Sequence, residues 1–250
     1  MIHPTAIISE KAKIGKNVKI GAYTIVNDNV FIGENSEIGA HCELGVASPL
    51  SENAPLVISE FSLIRSHSIF YEGSSFGPGL ATGHRVTVRE RTIAGDNLQI
   101  GTLSDLQGHC KIGSYVRLHS NVHIGQKSAI GNYVWIFPYV VLTNDPHPPS
   151  NTIIGVSVED FAVIATMSVI LPGVCIGSEA LVGAHSSVNK NVAPRTVVAG
   201  SPAKFICETS AVKLKDGSGD AYPWRRHFHR GYPETVRKEW LSEFGGKNDD

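Results

Sequence analysis

The feature that most constrains this chain is an aliphatic residue that returns at every sixth position. The repeat is clearest between residues 112 and 142, where it falls on Ile112, Leu118, Ile124, Ile130, Ile136 and Leu142. Four positions after most of these residues lies a small or β-branched one: Val116, Val122, Ser128, Val134 and Val140. An α-helix repeats at about 3.6 residues and a flat strand at about 2, so neither produces this pattern. Short strands separated by regular bends and stacked as a β-solenoid do produce it.

The repeat covers most of the chain in three blocks, which run from Ile2 to Leu44, from Ile58 to Leu142 and from Val158 to Val188. The breaks near residues 46–57 and 143–157 are rich in Pro, Ser and Asn. Proline cannot donate to a strand ladder, so these segments are predicted to be loops that leave the coil. Because the phase resumes after each break, we predict one domain over residues 1–206 and a tail over residues 207–250.

Composition argues against several classes of protein. A formal net charge of −1 is not that of a general nucleic-acid binder. We also expect no membrane span and no signal peptide, because no segment has the length and polarity of either. Cys42, Cys110 and Cys175 are predicted to occupy the small inward position of the repeat, without CxxC spacing. Free thiols fit a reducing compartment, so we expect a cytoplasmic protein.

From Ile2 to Phe205 the pattern resembles the hexapeptide-repeat acyltransferases, and VVAGSPAKFI at residues 197–206 resembles the segment with which that family leaves its coil. The resemblance implies an all-β fold, a left-handed parallel β-helix in which three hexapeptides form one triangular coil. Residues 18 apart then stack on adjacent coils. The family also implies a homotrimer with sites between subunits.

The tail leaves the repeat, and Val236, Trp240 and Phe244 follow one another at helical spacing. We therefore predict one short C-terminal helix, which covers the last coil or packs against a partner subunit. A basic, aromatic segment before it contains three arginines: Arg225, Arg226 and Arg230. The alternative function for this segment is to bind phosphates, which suit the guanidinium fork.

Stacking arithmetic selects one histidine from eleven as a candidate base. His123 and Asp105 are 18 residues apart, so they are predicted to lie side by side on adjacent coils. Neighbouring strands are about 4.8 Å apart, which is within hydrogen-bonding reach of the two side chains. A carboxylate beside an imidazole favours the imidazolium and fixes its tautomer. This pair is either a general acid–base dyad or an ordinary surface pair.

The segment around His123 adds polar candidates. His119, Ser120 and Asn121 precede it within LHSNVHIG. Within the family, SNVHI resembles a motif whose Asn lies near the reacting amine in enzymes that N-acetylate 3-amino sugars on UDP or dTDP. The resemblance therefore implies that role for Asn121.

The loop that follows residue 142 supplies further candidates, because sugar acetyltransferases of the family carry a catalytic histidine there. Here the sequence of residues 143–149 is TNDPHPP, in which either Asp145 or His147 occupies that place. Asn144 and Asp145 are further candidates for binding substrate. One departure is clear: the residue five before Gly131 is Gln126, which cannot be the base histidine that related enzymes carry at that spacing.

The resemblance also implies an acyl-CoA donor, acetyl-CoA or another acyl-CoA, with its pantetheine along the outside of the C-terminal coils. Two stacked pairs of small residues, together with a lysine for the adenosine phosphates, are the candidate contacts: Ala165 with Gly183, Thr166 with Ala184, and Lys204. The sequence has no Gly-rich phosphate loop and no metal-ligand cluster. A carbonic anhydrase of the same fold would need three zinc histidines, and His119 with His123 is the one close pair here.

These observations predict a trimeric acyltransferase that N-acetylates an amino sugar on a UDP or dTDP carrier, as in the synthesis of bacterial surface polysaccharides such as lipopolysaccharide. Two alternatives stay open. One is O-acetylation of a sugar hydroxyl, which needs a base at His123 or His147. The other is a non-catalytic hexapeptide scaffold.

Overall fold

The computed structural model describes residues 1–244 and confirms the predicted all-β fold, a left-handed parallel β-helix with a short C-terminal helix. Three sheets form the three faces of a triangular solenoid. We call them faces A, B and C in the order in which the chain first meets them.

Face A contains the strands Ile7–Ile8, Ile25–Val26, Glu43–Val46, Ile69–Tyr71, Thr87–Val88, Asp105–Leu106, His123–Ile124, Val141–Leu142, Val169–Ile170 and Ser187–Val188. Face B contains Lys13–Ile14, Val30–Ile32, Leu56–Ile58, Ser75–Phe76, Ile93–Ala94, Lys111–Ile112, Ala129–Ile130, Ser157–Val158 and Cys175–Ile176. Face C contains Lys19–Ile20, Glu37–Ile38, Leu63–Ile64, Ala81–Thr82, Gln99–Ile100, Arg117–Leu118, Trp135–Ile136, Val163–Ile164, Leu181–Val182, Thr196–Gly200 and Ala203–Glu208.

The sixfold repeat determines which side chains enter the core. Ile100, Leu118 and Ile136 pair in register on successive coils of face C, and all are at most 3% exposed. The small residue four positions after each aliphatic one also points inward, as at Cys110. Burial raises the pKa of the Cys110 thiol to about 11, so it stays protonated at neutral pH.

The prediction that Cys175 points inward is wrong. Cys175 lies five rather than four residues after Ile170, and it is only partly buried. Val174, one residue earlier, occupies the inward position and is 5% exposed. Cys42 and Cys110 are buried as expected.

The corners between faces explain why certain residue types recur. Almost every corner places one residue in the left-handed region, as at Leu103, Asn121 and Tyr139, whose φ angles are 62°, 58° and 61°. This conformation is costly for most L-residues, and asparagine tolerates it better than most. Asn121 therefore has a conformational reason to be asparagine in addition to any contact with a substrate.

The two breaks in the repeat enlarge single coils and leave the stacking intact. Ile32 pairs with Ile58, which is 26 residues later instead of 18, and Ile130 pairs with Val158, 28 residues later. The first extra segment lies between Val46 and Leu56 and the second between Leu142 and Ser157.

The solenoid ends in an antiparallel hairpin between Thr196–Gly200 and Ala203–Glu208, two residues past the expected boundary at 206. The tail then folds back over face C through 3₁₀ segments at Thr209–Ala211 and Trp224–Arg226 and a helix at Glu234–Glu243. Trp224, Tyr232 and Trp240 pack against aromatic side chains of the coils, among them Tyr133, Trp135 and Phe161. Residues 245–250 of the predicted tail lie outside the described residues. Among residues 1–244, no helix has both the length and the apolar character needed to cross a bilayer.

Candidate active site

The predicted neighbours His123 and Asp105 are in contact on face A. Their strands are adjacent and in register, and His123 Nδ1 lies 3.2 Å from Asp105 Oδ2. Both side chains remain accessible, at 41% and 36% exposure. When Nδ1–H donates to the carboxylate, Nε2 is left as the nitrogen that accepts a proton. We call this pair the dyad.

Residues that the sequence analysis missed support Asp105. Burial is the largest influence on the pKa of Asp105 and would raise it, but hydrogen bonds from His123 and Gln107 outweigh burial and lower the pKa. Arg89 acts in the same direction through its charge. The carboxylate therefore stays ionised at neutral pH, as an orienting partner must. Gln107 and Arg89 are 18 residues apart, so the stacking rule that found Asp105 also relates these two.

Arg89 is itself held in place on both sides. Its Nε and Nη2 each donate to the buried Glu90 carboxylate at 3.0 Å. Its guanidinium carbon lies 5.2 Å from the centre of the Tyr71 ring. The positive charge next to Asp105 thus has a fixed position, although it is shared with Glu90.

The remaining residues of the predicted polar cluster lie around the corner between faces C and A. His119 follows a strand of face C, whereas His123 belongs to face A, with Ser120, Asn121 and Val122 between them. The His119 ring stacks on Phe137 with centroids 4.6 Å apart. Burial lowers the pKa of His119, which favours the neutral imidazole. The predicted cluster is therefore divided over a corner rather than gathered on one face.

The loop after residue 142 begins on the coil next to the dyad, since Val141 pairs with His123. Asp145 Oδ1 accepts hydrogen bonds from the Ser150 hydroxyl at 2.7 Å and the His147 amide at 3.0 Å, and Oδ2 accepts one from the Ser150 amide at 3.0 Å. The Ser150 hydroxyl is the main reason why the pKa of Asp145 is lowered. Asp145 thus holds the loop in shape, and His147 is exposed.

Asn144 lies next to the end of the dyad strand. Its Cβ lies 3.1 Å from where a Cβ on Gly125 would be, so the missing side chain of Gly125 makes room for it. Gly125 directly follows the strand His123–Ile124. Of the three loop candidates, Asn144 is thus the one fixed against the dyad strand.

The predicted donor contacts are neighbours on the C-terminal coils. Ala165 and Gly183 directly follow two adjacent strands of face C, and Thr166 and Ala184 come next at the same corner. All four are at least partly accessible. Lys204 is exposed in the terminal hairpin, paired with Ala199, whose Cβ lies 2.9 Å from a Cβ built on Gly183. The arrangement leaves an open strip of small residues that ends near a lysine.

The tail arginines differ from one another. Arg225 is buried, and its guanidinium pairs with Glu179 and Glu243, so a phosphate-binding role for this residue is wrong. Arg226 lies 3.8 Å from Asp220. Arg230 is exposed and lines a groove between the tail and face C. Within the described chain, no three His, Cys, Asp or Glu side chains are grouped to hold a metal ion.

Comparison with known proteins agrees with the repeat and the fold. The family model described as "Bacterial transferase hexapeptide (six repeats)" matches residues 1–45. The acyl-[acyl-carrier-protein]–UDP-N-acetylglucosamine O-acyltransferase of Burkholderia orbicola is 30% identical over 179 residues, which is 68% of this chain and 63% of that protein. A 2,3,4,5-tetrahydropyridine-2,6-dicarboxylate N-acetyltransferase of Staphylococcus aureus is 36% identical over 93 residues, or 37% of this chain and 33% of that protein.

Among solved structures, a UDP-N-acetylglucosamine acyltransferase from Bacteroides fragilis has a TM-score of 0.52 at 18% identity, covering 98% of this chain and 83% of that one. At that identity the likeness concerns the fold. The chain spans between a third and two thirds of the two curated relatives described above. In its repeat and its coil, the chain is similar to the hexapeptide-repeat acyltransferases.

Proposed function

We propose that this chain transfers an acyl group, acetyl in the first instance, from a CoA thioester to the amino group of a sugar carried on UDP or dTDP. The observation that carries the proposal is the contact between His123 and Asp105. It places an accessible imidazole nitrogen beside a corner that bears Asn121 and a loop that bears Asn144. An ionised carboxylate that orients an exposed imidazole is the arrangement that a general base requires.

In this reaction the substrate nitrogen attacks the thioester carbonyl carbon, forming a C–N bond. His123 Nε2 accepts the proton that the nitrogen loses, and Asp105 stabilises the resulting imidazolium. When the tetrahedral intermediate collapses, the C–S bond breaks and the thiolate of CoA leaves. The imidazolium returns its proton to that thiolate, so the dyad is unchanged after each turnover.

The sugar nucleotide and the amine are supported by different relatives. The Burkholderia orbicola relative is named for a UDP-linked sugar acceptor, and the Staphylococcus aureus relative is named for N-acetylation. Asn121 is proposed to position the amine, with Asn144 and Ser120 contacting the sugar. The CoA thioester would enter along Ala165 and Gly183, with Lys204 at the adenosine phosphates.

O-acylation of a sugar hydroxyl is the second candidate, because the same dyad can serve a hydroxyl acceptor. A neutral amine is nucleophilic without help, whereas a hydroxyl must lose its proton as it attacks, which requires a base. The Burkholderia orbicola relative is named as an O-acyltransferase. The two candidates share every residue proposed above and differ in the atom that is acylated.

A screen of acyl-CoAs against UDP- and dTDP-linked amino sugars, read by release of the free thiol, tests the proposal. We expect turnover with acetyl-CoA and an amino sugar, and none with the same nucleotide sugar lacking the amine. Mass spectrometry of the product locates the acyl group on nitrogen or oxygen. Turnover with the hydroxyl sugar alone would establish O-acylation instead, and no thiol release with any pair would contradict a CoA-dependent transferase of these acceptors.

A further inference from the structure

A groove of about 500 Å³ lies on face C where the end of the basic tail segment meets the coils. Both parts of the chain form its wall. The lining side chains that matter here are Arg65, Arg117, His119, Trp135, Phe228 and Arg230. The groove is therefore completed only when the tail is docked.

The charge of this groove is one-sided. Three arginines line it, and neither aspartate nor glutamate is among its lining residues. Within residues 1–244, none of these three arginines takes part in a salt bridge, in contrast to Arg225 and Arg226 nearby. A wall of guanidinium groups without carboxylates attracts an anion.

Arg117 is the most constrained of the three. It is only 5% exposed, its Nη2 donates to the Gly231 carbonyl oxygen at 2.8 Å, and its guanidinium carbon lies 5.2 Å from the Tyr232 ring centre. Its Nη1 is buried and has no hydrogen-bond acceptor among the described residues. A buried charged donor without an acceptor is costly, so its retention here calls for an anion nearby.

We propose that this groove binds the nucleoside diphosphate of the acceptor, an assignment that rests on the proposed function for the identity of the ligand. The arginines take the diphosphate. Trp135, Phe228 and His119 supply flat surfaces on which a nucleobase stacks. His119 in the groove precedes His123 in the dyad by four positions, a span of at most about 14 Å along the chain. A sugar attached to the diphosphate reaches the dyad around that corner.

The groove and the proposed donor strip lie along the same corner, at different coils. Along it, the coils carry Gly101, His119, Phe137, Ala165 and Gly183 in turn. The stacked rings of His119 and Phe137 stand between the small residues on either side. The nucleotide sugar and CoA are thus assigned to opposite sides of these two stacked rings.

Isothermal titration of the full chain with UDP, dTDP, uridine and CoA tests the inference without relying on catalysis. UDP and dTDP are expected to bind, and uridine, which lacks phosphate, to bind at least tenfold more weakly. Arg230→Ala should weaken UDP and dTDP binding by about tenfold or more, as expected when a charged hydrogen bond is lost. Arg226→Ala is the matched control, because it removes an exposed arginine of the same segment that does not line the groove.

Arg117→Lys is a second test, because lysine keeps the positive charge but lacks the planar guanidinium; it should also weaken UDP and dTDP binding. Circular dichroism and limited proteolysis of the tail show whether the tail stays docked in this variant. If Arg230→Ala leaves UDP and dTDP binding unchanged, or weakens CoA binding instead, the assignment is wrong. UDP binding that depends on Arg230, without thiol release from any amino sugar, would overturn the proposed function and leave this inference standing.

Discussion

At the scale of single residues, the account depends on what distinguishes the dyad from the many other stacked pairs on this solenoid. Lys19 and Glu37 also stack on adjacent coils, and both are more than half exposed, so their attraction is screened by water. Asp105 differs because it also accepts a hydrogen bond from Gln107 and lies near Arg89. The partner also differs, because an imidazole nitrogen can accept a proton from a substrate, whereas a lysine ammonium cannot.

Replacing Asp105 with Asn should lower kcat/KM for acyl transfer, but by less than the roughly 10²–10⁴-fold expected for loss of the base itself. The amide no longer orients the imidazole through a charge-assisted hydrogen bond and no longer stabilises the imidazolium that forms during transfer. Initial rates of thiol release measure the effect. Thr87→Ala, in the same outward column one coil earlier, is the control. An unchanged kcat/KM in Asp105→Asn would show that Asp105 does not act on His123.

Prediction of single residues succeeded where the repeat is regular. It failed where an error of one position changes the direction of a side chain. Asp105 and His123 could be paired from sequence because 18-residue stacking holds without a bulge between them. Cys175 was misplaced because one position decides whether a side chain faces the core or the solvent. The contacts of Gln107 and Arg89 with Asp105 were missed because stacking arithmetic relates residues 18 apart. These two residues belong to a different stacked column from Asp105.

At the scale of elements, corners and loops determine which parts of face A and face C are accessible. The loop after residue 142 is organised by Asp145 and brings Asn144 against Gly125. The strip of small residues at the C-terminal corner is open because neither Ala165 nor Gly183 carries a large side chain. Each element has a structural explanation that does not require a ligand, so its function must be tested by substitution.

Ala165→Leu should raise the KM for the acyl-CoA donor severalfold and leave the KM for the acceptor near its original value. The larger side chain would fill the strip along which pantetheine is proposed to lie. Ala129→Leu, on face B and exposed to solvent, controls for adding a leucine to the surface. Initial rates at varied acyl-CoA concentration give the KM for the donor. A donor KM equal to that of the control variant would place CoA elsewhere.

The tail shows what the sequence could not supply. Its helix was predictable from the spacing of Val236, Trp240 and Phe244, and the structure has a helix at Glu234–Glu243. Its docking site was not, because contacts such as that between Arg117 and Gly231 join residues 114 positions apart with no period to relate them. The groove therefore became visible only in the folded chain.

At the scale of the whole molecule, the three faces differ in how they are covered. The tail packs on face C, whereas the outward side chains of face A include Ile7, Ile25, Ile69, Val141 and Val169. Ile7 is 65% exposed. The dyad lies in this same outward column. Half of this column is apolar, and apolar side chains that water reaches favour contact with another subunit.

We therefore predict a homotrimer in which face A of each subunit meets a neighbour, so that the dyad lies at a subunit boundary. Light scattering after size-exclusion chromatography at micromolar concentration should give three times the chain mass of 26.9 kDa. Val169→Glu should weaken the assembly by placing a charge in the contact, and Ser75→Glu on face B should not. A monomer in the unmodified protein would remove the shared site.

The pH–rate profile of acyl transfer in the unmodified protein and in His123→Ala tests the central claim most directly. We predict an acid limb in the unmodified protein, because a protonated imidazole cannot act as a base. The variant should lose about 10²–10⁴-fold in rate, and its limb should vanish. Full activity in His123→Ala, with the limb retained, would contradict the account and move the search for the base to His147.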